Sequence, residues 1–184
     1  MLLAVVSAVW VGSEIVLGIV RHSRSGESVR RDRFSIAVLW ICIAGAATGG
    51  SMLRAVRAAK MPGGATTFFI GIALIMIGIA IRWTAIFTLR RYFTVDVSIR
   101  TDHQVIQHGI YRVIRHPAYA GSLVSFIGLG IAFMNWISLA VMVLGTLIGF
   151  SYRISIEERE LIAALGDDYR RYAARTKRLI PGVF

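Results

Sequence analysis

Two short stretches of this 184-residue chain carry side chains able to do chemistry. The first runs Asp102-His103-Gln104-Val105-Ile106-Gln107-His108 and then Gly109-Ile110-Tyr111-Arg112-Val113-Ile114-Arg115-His116-Pro117-Ala118-Tyr119-Ala120-Gly121, straight into an apolar segment. Proline suits the first helical position, where its missing N–H would have had no partner, so Pro117 marks a helix start and His116 falls near the cap. Arg115, His116 and Tyr119 then surround the positive end of a helix, where an anionic group is stabilised. A belt of snorkelling arginine and anchoring tyrosine at a membrane surface is the plainer account of the same residues. The second stretch is Arg153-Ile154-Ser155-Ile156-Glu157-Glu158. On a helix Arg153 and Glu157 stand at i and i+4 on one face and can pair, an interaction worth only about 0.3 to 0.5 kcal/mol if exposed. Within a turn of a membrane boundary, however, the guanidinium fork suits bidentate capture of a carboxylate or phosphate on a lipophilic molecule. His22 and His108 lack such neighbours and read as solvated loop residues.

The elements that must position these residues are membrane helices. Hydrophobic residues make up 56% of the chain and charged residues 17%, where a soluble domain carries roughly 25% charged. The net charge of +11 on so little polar surface fits cationic loops beside a membrane better than a nucleic-acid binder. One cysteine, Cys42, builds neither a disulfide framework nor a thiolate metal site. A span needs about 20 mostly apolar residues, and Met1 to Val20, Phe34 to Leu53, Ala65 to Leu89, Ala118 to Phe133 and Trp136 to Tyr152 supply five. The first is expected to be a retained helix, not a signal peptide, because no basic stretch precedes it and no small-residue cleavage site follows. The last two, separated by Met134 and Asn135, form a helical hairpin. Span five continues as an amphipathic helix until Gly166 can stop it, and a short helix follows from Asp167 to Lys177. The fold class expected is all-α: a polytopic integral membrane protein of five spans with a cytoplasmic C-terminal helix. Residues 1–184 form one domain, with three spans in 1–89 and the chemistry in 90–184.

Seventeen of the 21 basic residues follow spans one, three and five, against Arg54, Arg57 and Lys60 between spans two and three. The positive-inside rule therefore puts the N-terminus outside and the C-terminus in the cytoplasm, in the cell (inner) membrane. Glu14 and Arg82 are intramembrane charges, explained equally by snorkelling and by mutual pairing. Gly45 with Gly49, and Gly145 with Gly149, match the small-residue pattern of packed membrane helices, read here as ordinary close packing and not as a dimer face. No G-x-G-x-x-G, P-loop, H-E-x-x-H or C-x-x-C occurs, so soluble nucleotide folds and zinc hydrolases lack sequence support and no metal is expected.

With these elements in place, the chain resembles the isoprenylcysteine carboxyl methyltransferase family, with phospholipid methyltransferases close by. The resemblance rests on D-H-x-V at Asp102 to Val105, the Gly109 to Gly121 run, the hairpin with Asn135 at its turn, R-x-x-x-E-E at Arg153 to Glu158, and L-G-D-D-Y-x-x-Y from Leu165 to Tyr172. It covers roughly the C-terminal 90 residues; the first two spans match only in being apolar. It implies an S-adenosylmethionine-dependent carboxyl O-methyltransferase acting on a lipophilic or lipidated substrate among membrane lipids. Carried over residue by residue, the cofactor positions are His103, Gln104, Val105, Ile106, Tyr111, His116, Pro117, Ala118, Tyr119 and Glu157, and Arg153 meets the substrate's carboxylate. Arg153 and Glu157 are the catalytic pair on this reading. A phospholipid or other lipid methyltransferase is the alternative, in which Glu157 or Glu158 would act as base toward an amine. An NADPH-dependent sterol-type reductase is disfavoured because Ala118 and Ser122 replace an asparagine and an aspartate of that pattern; a non-enzymatic membrane protein is the remaining reading.

Overall fold

The computed structural model describes residues 1–20, 33–93, 104–180 and 182, and among them every regular element is a helix and there is no strand. Five α-helices follow one another: α1 (Leu2–Val20), α2 (Arg33–Leu53), α3 (Gly64–Leu89), α4 (Pro117–Ala132) and α5 (Trp136–Arg175). Four of them, α1, α2, α3 and α5, are long and apolar enough to cross a membrane. The expected fourth span, α4, has 16 residues, about 24 Å of helix at 1.5 Å per residue and so short of a full hydrocarbon core.

Helix starts and stops follow the local chemistry. Pro117 occupies the first turn of α4 and His116 the cap. Asn135 caps α5, its side-chain oxygen accepting from the N–H groups of Ile137 at 3.0 Å and Ser138 at 3.1 Å, while its amide donates to the Val56 carbonyl at 2.9 Å. The hairpin is thereby tied to the loop between α2 and α3, where Met61 N–H also donates to the Met134 carbonyl. Gly166 interrupts α5 with φ 54° and ψ −127°, a conformation reserved for glycine, and the helix resumes to Arg175.

Close backbone approach fixes the pairing of helices. Gly121 of α4 faces Gly78 of α3, and Gly128 faces Gly71: a Cβ on Gly121 would lie 2.6 Å from the Gly78 carbonyl oxygen, and one on Gly128 2.6 Å from that of Gly71. Side chains at these four positions would force α3 and α4 apart. Gly145 and Gly149 of α5 pack against Ala46 and Cys42 of α2, as ordinary intrachain contacts, whereas a Cβ on Gly45 would meet nothing within 4 Å. Helix α1 meets the rest of the bundle sparsely, chiefly at α3. There Glu14 accepts both Nε and Nη2 of Arg82 at 2.5 Å. The two intramembrane charges are thus a bidentate pair, which decides between snorkelling and mutual pairing.

Candidate functional site

A cavity of about 730 Å³ opens among α1, α2, α4, α5 and the segment leading into α4. Deep in the bundle its walls are apolar, with Trp10 of α1, Leu39 and Ile43 of α2, and Phe126 and Leu129 of α4. Toward the ends of the helices where α4 begins, the walls become polar and aromatic. The segment before α4 supplies Gln104, Val105, Ile106 and Tyr111; the first turn of α4 supplies His116, Ala118 and Tyr119; α5 supplies Arg153 and Glu157. Nine of the residues singled out from the sequence therefore line one chamber. Pro117 starts α4 beside them without appearing in the wall, and His103 lies outside the described residues.

Arg153 and Glu157 share a face of α5 because four residues make little more than a helical turn. Arg153 is 2% exposed, and its Nη1 donates to the hydroxyl of Ser35 at the start of α2. Glu157 accepts from the Tyr119 hydroxyl at 3.1 Å, linking α5 to the first turn of α4. The Tyr119 ring stands between two others, 5.9 Å from His116 and 5.3 Å from Phe150 between centroids. In the wall of the same chamber, Tyr172 donates to the Tyr111 carbonyl at 2.7 Å and so fixes the segment before α4. Burial pushes the phenols of Tyr111 and Tyr169 well above the ordinary tyrosine range, with the negative charge of Glu157 adding to it, so both stay neutral.

The neighbour of Glu157 has a different task. Glu158 turns away from the cavity and is 7% exposed. Its Oε1 accepts Arg115 Nε at 2.7 Å and faces His116 Nε2 at 3.3 Å, and its Oε2 accepts Arg178 Nε at 3.0 Å and Nη2 at 2.8 Å. Burial alone would raise its pKa; the hydrogen bonds from His116, Arg115 and Arg178 outweigh that and lower it to about 2. The backbone reinforces the hub: Arg115 N–H donates to the Lys177 carbonyl at 2.8 Å and His116 N–H to that of Arg178 at 3.1 Å. Sequence reading missed Ser35, Arg178 and the hub role of Glu158. The doubled glutamate was the one visible signal. Arg82 also borders the chamber, its Nη1 donating to the Ala118 carbonyl at 3.3 Å.

Residues 71–163 match the model of the isoprenylcysteine carboxyl methyltransferase (ICMT) family. A probable protein-S-isoprenylcysteine O-methyltransferase of Oryza sativa subsp. indica is 33% identical over 115 residues, which cover 61% of this chain and 60% of that protein. Protein-S-isoprenylcysteine O-methyltransferase B of Arabidopsis thaliana is 34% identical over 115 residues, covering 61% and 58%. The match thus spans about 60% of the length of these curated relatives. The solved structure of the eukaryotic intramembrane Ras methyltransferase ICMT superposes with a TM-score of 0.60 at 25% identity, over 84% of this chain and 55% of that one.

Proposed function

Because the chain belongs to the isoprenylcysteine carboxyl methyltransferase family, we propose that it methylates the carboxylate of a lipophilic, prenylcysteine-like acceptor, with S-adenosylmethionine as methyl donor. One observation carries the reading: a single cavity joins an apolar chamber among α1, α2 and α4 to a polar end holding Arg153, Glu157, His116 and Tyr119. A lipid tail fits the first part and a carboxylate the second. The polar end also suits the donor, offering aromatic faces at Tyr111, Tyr119 and His116 and an anionic group at Glu157 for a cationic ligand. His103, Gln104, Val105, Ile106, Pro117 and Ala118 complete the proposed cofactor positions.

The donor supplies a methyl group activated by a sulfonium. A carboxylate of pKa near 3.5 is already ionised at neutral pH, so the chain need provide no general base. Arg153 binds and aims that carboxylate, Glu157 and Tyr119 hold each other in place, and His116, anchored by Glu158, shapes the wall beside them. The apolar walls exclude water. Positioning of this kind can supply about 7 to 11 kcal/mol of a barrier. The distribution of basic residues supports a cytoplasmic placement of the polar end.

The test is calorimetric binding of S-adenosylmethionine, against NADPH, together with turnover of N-acetyl-S-farnesylcysteine by the protein in detergent. Arg153→Ala is expected to lose turnover while keeping donor affinity, and His116→Ala to weaken donor binding. Preferential binding of NADPH, or equal loss of both properties in both variants, would refute the assignment.

A further inference from the structure

Half of the apolar wall of the cavity lies outside the family match. Residues 71–163 include the reacting end together with Phe126 and Leu129 of α4, whereas Trp10 comes from α1 and Leu39 and Ile43 come from α2. The family model therefore carries no information about this part of the wall, and what it selects follows from the helices themselves. Helix α1 runs antiparallel to α4. Glu14 lies beside Ala118 at the start of α4, joined to it through Arg82, while Trp10, about one turn earlier in α1, meets Phe126 about two turns further along α4. The two rings stand edge to face with centroids 4.8 Å apart, which closes the space between α1 and α4 at that depth. Phe126 follows Tyr119 by seven residues, about 10 Å along the helix axis, so a tail whose head lies at the polar end reaches the ring pair after about that distance. Trp10 is 7% exposed, and its indole N–H is buried with no hydrogen-bond partner among the described residues. A buried indole ordinarily finds one. Here no polar bond fixes the ring, and what Trp10 contributes to the chamber is volume and apolar contact.

We propose that Trp10 is a specificity-determining residue whose ring, set against Phe126, limits the length of prenyl tail that the acceptor can carry into the cavity. The inference deepens the methyltransferase reading above and rests on it. Acceptors that share one head group and differ only in tail length separate the two statements experimentally.

The experiment is methylation of the S-geranyl, S-farnesyl and S-geranylgeranyl derivatives of N-acetylcysteine by the protein in detergent, read as kcat/KM for each. Wild type is expected to favour the shorter tails over geranylgeranyl. Trp10→Ala is expected to raise the geranylgeranyl-to-geranyl ratio about tenfold, the scale on which small volume changes act in an apolar pocket. Phe126→Ala removes the other ring from the opposite helix and is expected to shift the ratio in the same direction. Trp10→Phe gives up the unpartnered N–H but keeps an aromatic ring, and is expected to stay close to wild type. Calorimetric binding of S-adenosylhomocysteine, expected to be equal in all four proteins, checks the fold; if Trp10→Ala loses it, Phe126→Ala decides the question. A wild type indifferent to tail length, an unchanged ratio in either folded alanine variant, or an equal fall in kcat/KM for all three tails would overturn the inference while leaving the methyltransferase reading in place. A wild type that binds S-adenosylhomocysteine but methylates none of the three acids would instead remove the prenylcysteine-like acceptor itself, and the inference with it.

Discussion

Glu157 and Glu158 are adjacent in sequence and do unrelated things, because successive residues on a helix point about 100° apart. One faces the cavity and holds Tyr119; the other gathers Arg115, His116 and Arg178. Since the carboxyl of Glu158 is lowered from 4.5 to about 2 in the folded protein, its contribution to stability is fully present above pH 4.5 and is lost as pH falls toward 2. The shift corresponds to at most about 3 kcal/mol. Thermal unfolding in detergent should therefore show Glu158→Gln less stable than wild type at pH 7, with the gap closing on acidification below pH 4.5. A gap independent of pH would mean that the hub is held by shape and not by charge. The R-x-x-x-E-E pattern was readable as a pair of candidate acids, but which carboxylate faces a ligand depends on how α5 is rotated against α4, and spacing does not carry that information.

Among the elements, α3 and α4 owe their pairing to Gly71, Gly78, Gly121 and Gly128, whose antiparallel register lets each backbone occupy the space of a missing side chain. Dispersion and close packing drive association between helices in lipid, where apolar surface alone gives no advantage. Gly121→Ala would place a Cβ 2.6 Å from both the Gly78 carbonyl oxygen and the Arg82 backbone nitrogen, and is expected to cost about 1 to 3 kcal/mol. Gly45→Ala, with nothing within 4 Å, should leave the unfolding midpoint unchanged. Equal effects at the two sites would contradict this pairing. The Gly45 and Gly49 spacing stands out in sequence, yet a Cβ on Gly45 would meet nothing within 4 Å; spacing of small residues identifies surfaces that can pack closely, and the partner determines which of them do. Boundaries, by contrast, were legible, because Pro117, Asn135 and Gly166 act through their own backbone chemistry: a ring, a capping amide and a positive φ.

At the scale of the whole molecule, among the described residues α1 is held to the other helices sparsely, and the Glu14–Arg82 pair is a polar attachment between it and α3. With side chains only 14% and 20% exposed, the two charges are poorly solvated, so leaving one of them unpaired is expected to cost about 1 to 3 kcal/mol. Glu14→Gln should lower the unfolding midpoint and loosen α1, and Glu14→Gln combined with Arg82→Gln should recover much of the loss. A double variant no better than the single would show that the pair contributes no coupling. Because Arg82 also reaches the Ala118 carbonyl, the same experiment tests whether the docking of α1 is transmitted to the start of α4. Membrane character, helix order and the family motifs were all present in the sequence, because they follow from the length of apolar runs, from local capping and from residues close together in the chain. The partnership of Ser35 with Arg153, of Glu14 with Arg82 and of Glu158 with Arg178 was not, since each joins segments 118, 68 and 20 residues apart. Such contacts depend on the rotation and depth at which finished helices pack, and it is that packing, not any local preference, that turns scattered charges into a site.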